Sequence, residues 1–178
     1  MRSIAEVVLQ SVIERRPVDD RESASRDRII EALHSLERPF DRRADPTHVT
    51  GSAVIAGPRG VLLHRHKRLG MWLQPGGHLD PDESPWQAAM REAEEETGLA
   101  FEPWQSVPPL VHVDVHRAGD DHIHLDLRYT LRPRGGEEPA PGPGESPEVR
   151  WFNWPDAIAI ADPGLKGLLV ATRPDREL

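Results

Sequence analysis

The chain has 178 residues, of which 37% are hydrophobic and 29% charged, with a net charge of -8 and no cysteine. That length suits one domain with a substantial core. The lack of Cys excludes disulfides, thiol catalysis and Cys-ligated metal centres, leaving oxygen and imidazole as metal ligands, and the negative charge argues against strong nucleic-acid binding.

No apolar run is long enough to cross a membrane, and charges flank the short N-terminal apolar segment, so the expectation is a cytoplasmic protein. Residues 1–40 read as a pair of helices. Ser3 and Glu6 have capping-box spacing ahead of Ile4, Val7, Val8 and Val12, and Pro17 closes that segment. A second helix is expected over 21–38, with Ile29, Leu33 and Leu36 on one stripe before Pro39. These stripes need a surface to bury them. The expectation is a helical extension packed on one side of the core, with a homodimer contact as the alternative.

From Thr47 the apolar period changes to that of strands. VTGSAVIAG and GVLLHRHKR, joined by Gly57-Pro58-Arg59-Gly60, read as a hairpin. Its second strand runs into the basic cluster His64, Arg65, His66, Lys67 and Arg68, which is either a solvated strand end or a set of contacts for substrate phosphates. Gly76 and Gly77 then let the backbone pass close to whatever the next element holds.

That element spans Gly77 to Leu99, GHLDPDESPWQAAMREAEEETGL. Ser84 is a natural N-cap, Pro85 suits the first helical position, Gln87 completes a capping box and Gly98 ends the helix. Helical spacing puts Glu92, Glu95 and Glu96 on one face and Ala89 and Ala93 on the other. Such an acidic face is either solvated or a seat for a hard divalent cation, Mg2+ or Mn2+.

Read as Gly77, five residues, Glu83, seven residues, Arg91-Glu92-Ala93, one residue, Glu95-Glu96, one residue, Gly98-Leu99, the stretch resembles the signature of the Nudix hydrolase superfamily at every fixed position. The resemblance implies an α/β fold, a Nudix-type α/β/α sandwich with a mixed β-sheet, over a domain at 47–172. It also implies hydrolysis of a phosphoanhydride in a nucleoside diphosphate linked to another group X, with Mg2+ or Mn2+ as cofactor. Glu92, Glu95, Glu96 and the Gly77 carbonyl are then the implied metal ligands. Arg91 would hold the carboxylates in place, Gly76 would support the loop, and Glu83 would support it too or bind metal through water. A non-catalytic sensor of a nucleotide or diphosphate ligand is the alternative, as is, more weakly, a diphosphate isomerase, whose expected Cys is missing.

Downstream, LVHVDVHRAGDDHIHLDLRYTLRP alternates strictly. Val111, Val113 and Val115 share one expected face, and Ile123, Leu125, Leu127 and Tyr129 another, around a turn at Gly119-Asp120. The polar faces carry His112, Asp114, His116, His122, His124, Asp126 and Arg128. They are read as lining for a substrate pocket, with plain solvation or a second transition-metal site as alternatives. The candidate substrate contacts are therefore His64, Arg65, His66, Arg68, His112, His116, His124, Asp126 and Arg128. The Pro- and Gly-rich stretch 133–147 is expected to be a floppy excursion or a lid. By resemblance, Glu145 in it is a candidate to complete the catalytic set. Two short helices are expected over 155–161 and 164–172. The expected partner is a small nucleotide or other diphosphate.

Overall fold

The structure is a computed structural model and describes residues 2–119, 121–135 and 138–174. The expected turn residue Asp120, positions 136–137 of the Pro/Gly stretch and the last residues of the tail, 175–178, lie outside them.

Helix α1 (Ile4–Glu14) opens on the capping box, with Ser3 Oγ accepting from Glu6 N at 3.2 Å and Glu6 Oε2 accepting from Ser3 N at 2.7 Å. Helix α2 (Asp20–Ser35) is capped by Asp19, which accepts from Glu22 N at 2.8 Å. It stops three residues before the expected end because Leu36 turns extended and folds back onto the core. Strand β1 (Thr47–Gly57) is the axis of the sheet. It pairs antiparallel with β2 (Gly60–Arg65) and β4 (Gly76–His78), and parallel with β6 (His122–Leu131) over nine residue pairs. Strand β3 (Trp72–Leu73) and β7 (Val149–Phe152) add to β2, and β5 (Leu110–Ala118) forms a hairpin with β6. The order β3-β2-β1-β6-β5, with β4 beside β1 and β7 beside β2, gives a mixed sheet of seven strands among the described residues.

Two apolar layers follow from the strand period. On one face Val49, Ala53, Ile55, Leu62, Val113, Leu125, Leu127 and Tyr129 pack with helix α3 (Pro85–Thr97) and with Val8, Val12, Ile29 and Ala32 of the N-terminal helices. On the other, Val54, Val61 and Leu63 meet α4 (Trp154–Ile160) and α5 (Pro163–Thr172), chiefly Leu165, Leu168 and Leu169. The result is an α/β/α sandwich.

Strand β5 departs from strict alternation. A bulge between Leu110 and His112 turns Val111 away from Val113 and Val115, so that it packs against the α4–α5 layer. The outer edge of β5 is covered by α2. There the buried Glu22 accepts from Val113 N at 3.2 Å and Ser25 accepts from Val115 N at 3.1 Å. Glu22 also accepts from Arg15 Nε at 2.6 Å and Val18 N at 2.7 Å, tying α1, the connecting turn and the sheet together.

Candidate active site

Helix α3 sits where its sequence dictates. Ser84 and Gln87 form the capping box, and Gly98, at φ 69°, closes the other end. Ala88, Ala89 and Ala93 are fully buried, letting the helix backbone settle on β1. At the contact point stands Gly51, where a Cβ would run into the Pro85 carbonyl. The opposite face carries Glu92, Glu95 and Glu96, with side-chain exposures of 19%, 53% and 14%.

Arg91 fixes this face to the loop before it. Its guanidinium donates to both Glu83 oxygens at 3.1 and 2.9 Å, to Glu92 at 2.9 Å, to Glu95 at 3.4 Å and to the His78 carbonyl at 2.9 Å. Glu83 also accepts from Asp80 N at 2.9 Å, so loop and helix become one unit. Glu96 accepts from Gly76 N at 3.0 Å and lies 3.5 Å from His64 Nδ1. Gly77 lies against Glu92, whose carboxylate occupies the place a Cβ would take.

Burial, with the nearby carboxylates adding to it, pushes Glu96 up to about 8 and raises Glu92 as well. Glu145 is among those carboxylates. The loop carrying it is seated rather than floppy, because Ala140 N donates to the Thr97 carbonyl at 2.9 Å and Gly142 N to the Glu95 carbonyl at 3.3 Å. These are carbonyls in the last turn of α3, which otherwise lack partners. Glu92 and Glu95 thus share the Arg91 guanidinium, Glu96 is held by the Gly76 amide, and Glu145 lies near enough to act on Glu92 and Glu96, so this side of the helix offers hard oxygens beside two glycines. That donor set fits Mg2+ or Mn2+.

The basic cluster disperses. His64 is buried beside Glu96, and burial, then His66, lowers its pKa to about 4, so it is neutral at pH 7. Arg65 pairs with Glu148 at 3.0 Å and donates to the Gly70 carbonyl. His66 accepts from Leu69 N at 3.2 Å in an exposed turn that also bears Lys67 and Arg68.

The polar residues of the second hairpin lie on the other face of the sheet. Asp126 accepts from Thr50 Oγ1 at 3.0 Å, Ser52 Oγ at 2.7 Å and Arg128 Nε at 2.7 Å. Arg128 also donates to the Gly164 carbonyl at 2.7 Å and to Asp114 at 3.4 Å, and it meets His112 Nδ1 at 3.4 Å. Asp114 in turn receives Arg21 at 2.8 Å and His116 at 3.1 Å. Burial works to raise Asp114 and Asp126, but the cations and hydrogen bonds around them outweigh it and hold both below the usual carboxylate range. His112, Asp126 and Arg128 are almost wholly buried, with their polar atoms directed to one another and to the strands. Geometry therefore separates them from Glu92, Glu95 and Glu96. His116 and His124 are half-buried at the open end of this face.

Sequence reasoning passed over Thr50, Ser52, His48 and His78. Each reaches the second hairpin through pairing of β1 with β6 or β4, which no local pattern announces.

The sandwich, its acidic helix and the glycine loop beside it are what comparison with known proteins also finds. The NUDIX domain profile matches residues 46–170. The asymmetrical bis(5'-nucleosyl)-tetraphosphatase of Caenorhabditis elegans is 30% identical over 102 residues, 56% of this chain and 70% of that protein. A MutT-like protein of Streptomyces ambofaciens is 31% identical over 130 residues, 70% of this chain and 75% of that protein. The crystal structure of a NUDIX-family hydrolase from Clostridium perfringens superposes with a TM-score of 0.58 at 28% identity, covering 69% of this chain and 91% of that one. The chain belongs to the Nudix family. It is a Nudix-type hydrolase of acid anhydrides.

Proposed function

We propose that the chain is a divalent-metal-dependent pyrophosphohydrolase acting on a nucleoside diphosphate linked to another group. The observation that carries this reading is the acidic helix face fixed to the glycine loop, with Arg91 bridging Glu83, Glu92 and Glu95, the Glu92 carboxylate against Gly77 and Glu96 on the Gly76 amide. Glu92, Glu95 and Glu96, with the Gly77 carbonyl, would hold Mg2+ or Mn2+. When bound, such an ion neutralises phosphate charge and acidifies water. The chain's own part is positional and protonic. Arg91 keeps Glu92 and Glu95 in one arrangement, the Gly76 amide holds Glu96, Glu83 braces the loop, and Glu145 or a helix Glu accepts a proton from the attacking water. His64 is the side chain of the basic cluster best placed to meet a phosphate oxygen, since it sits beside Glu96. We keep 47–172 as the catalytic domain and 1–40 as its helical extension.

The worm relative's name specifies a dinucleoside tetraphosphate and the Streptomyces relative's does not specify a substrate. The test is therefore a panel of dinucleoside polyphosphates, nucleoside triphosphates and nucleotide sugars with Mg2+ or Mn2+, reading which phosphate products appear. Glu95→Gln and Glu96→Gln are each expected to lower turnover by about 100-fold or more without loss of fold. Unchanged turnover in both, or inertness of the wild-type chain across the panel, overturns the reading.

A further inference from the structure

On the sheet face away from Glu92 a second set of ligands converges. His48 is the second residue of β1 and His124 the third of β6, and the two are direct partners in the parallel ladder. His78 ends β4, opposite Thr50. Because side chains alternate along β4, His78 points away from the face where Gly77 meets Glu92. The three rings lie with centroids 5.0 to 5.2 Å apart, and one nitrogen from each lies within 4.8 Å of the others.

We propose that His48, His78 and His124 form a three-imidazole site for one borderline-soft transition-metal ion, Zn2+ above all, separate from the carboxylate cluster. Three observations carry it. First, His48 is fully buried, and its Nε2 has no hydrogen-bond partner, although a buried polar atom is ordinarily satisfied. Second, its Nδ1 lies 3.1 Å from the Asp45 carbonyl, which fixes the proton on Nδ1 and leaves the Nε2 lone pair free. An imidazole held by a backbone carbonyl in this way is the usual support of a metal-bound His. Third, a tetrahedral ion with nitrogens about 2.0 Å away sets its ligands roughly 3.3 Å apart, so the rings need close by about 1.5 Å at most. His78 and His124 are both half-buried rather than enclosed.

The surroundings supply the remainder of a shell. His122, exposed, has its ring 5.3 Å from that of His48, and His116 lies 5.4 Å from His124, so a fourth ligand is at hand from either ring or from water. Arg42 meets His78 Nδ1 at 3.3 Å, but it is exposed and swings clear when the ring turns. Three imidazoles favour Zn2+ over Mg2+, which prefers oxygen. An ion here would clamp the ends of β1, β4 and β6 together, two residues from Gly76 and one from Gly77. It would thereby stiffen the loop that carries the active-site glycines. The proposal stands independently of how the carboxylate cluster is read.

The test uses the full chain without an affinity tag. Calorimetric titration with Zn2+ in excess Mg2+ is expected to show one equivalent bound, retained in the Glu95→Gln, Glu96→Gln double variant. His78→Gln and His124→Gln are each expected to weaken it at least about 100-fold, with thermal melting of the metal-free variants reporting on their fold. X-ray absorption at the zinc edge of the loaded wild-type chain is expected to count three or more imidazoles. No stoichiometric Zn2+ binding by the wild-type chain, equal affinity in folded His variants, or fewer than three imidazoles around the ion overturns the proposal.

Discussion

Gly77 concentrates the demands of the site in one residue. Its lack of a Cβ lets the Glu92 carboxylate lie against the backbone of β4. Gly77→Ala would force that carboxylate aside while leaving the helix and its Ala face untouched. A displacement of about 1 Å in a catalytic group costs on the order of 100-fold in rate, and the same loss is expected here in kcat, with a thermal midpoint close to wild type. Full turnover in Gly77→Ala would mean that the position of Glu92 is immaterial. At this scale the sequence is informative because the relations are local. Ser84 with Gln87, and Glu92 with Glu95 and Glu96, sit three or four residues apart, and a helix turns that spacing directly into geometry. His48 and His78 escape such reading. Each acquires its neighbours from a strand distant in the chain.

At the scale of elements, α2 illustrates how far an apolar stripe carries. Ile29 and Ala32 are buried as the helical period requires, with Leu33 and Leu36 packed alongside. The same stripe continues into Glu22 and Ser25, which a hydrophobic template leaves out because they are polar. Their burial makes sense only beside a strand edge whose amide groups need acceptors. Removing one partner of a buried ion pair typically costs about 3 to 5 kcal/mol. Glu22→Ala strips Arg15, Val18 N and Val113 N of their acceptor at once, so a loss in that range is expected from chemical denaturation. A loss below about 1 kcal/mol would show that water replaces the carboxylate without strain. The bulge in β5 and the seating of the Pro/Gly loop on α3 belong to the same category. Both answer to groups on other elements, and so neither was legible in the strand and loop composition.

For the whole molecule, stability should fall as the solution is acidified below about pH 6.5. Burial lowers His64 and His78 to about 4 and His112 to about 3, and lowers His124 too. These bases have folded values below their unfolded value of 6.5, so between roughly pH 4 and 6.5 the unfolded chain takes up protons that the folded chain refuses. Glu96, raised to about 8, and Glu92, raised too, work in the opposite sense, since their protonated forms favour the fold and that advantage fades as pH rises. His48 and His66 are lowered as well, so six imidazoles stand against two carboxylates, and the denaturation midpoint is expected to drop from pH 7 to pH 4, with net proton uptake on unfolding. A midpoint flat across that range would contradict the burial of these rings. The sandwich was suggested by the order of helices and strands along the chain, and the resemblance over Gly77 to Leu99 supplied what that order alone did not. The parallel pairing of β1 with β6, which makes one polar face out of residues from both, was not, because it joins segments about 75 residues apart with no periodic signature of its own.

The cover that α2 lays along β5 also bears on how copies of the chain meet one another. A bare terminal strand offers a row of amides and carbonyls on which any other extended chain can add itself, the step that begins edge-to-edge aggregation. Glu22 and Ser25 occupy two of those amides, so the helix pair acts as a surrogate neighbouring strand that cannot propagate. The N-terminal helices therefore close this stretch of the β5 edge to the addition of a further strand.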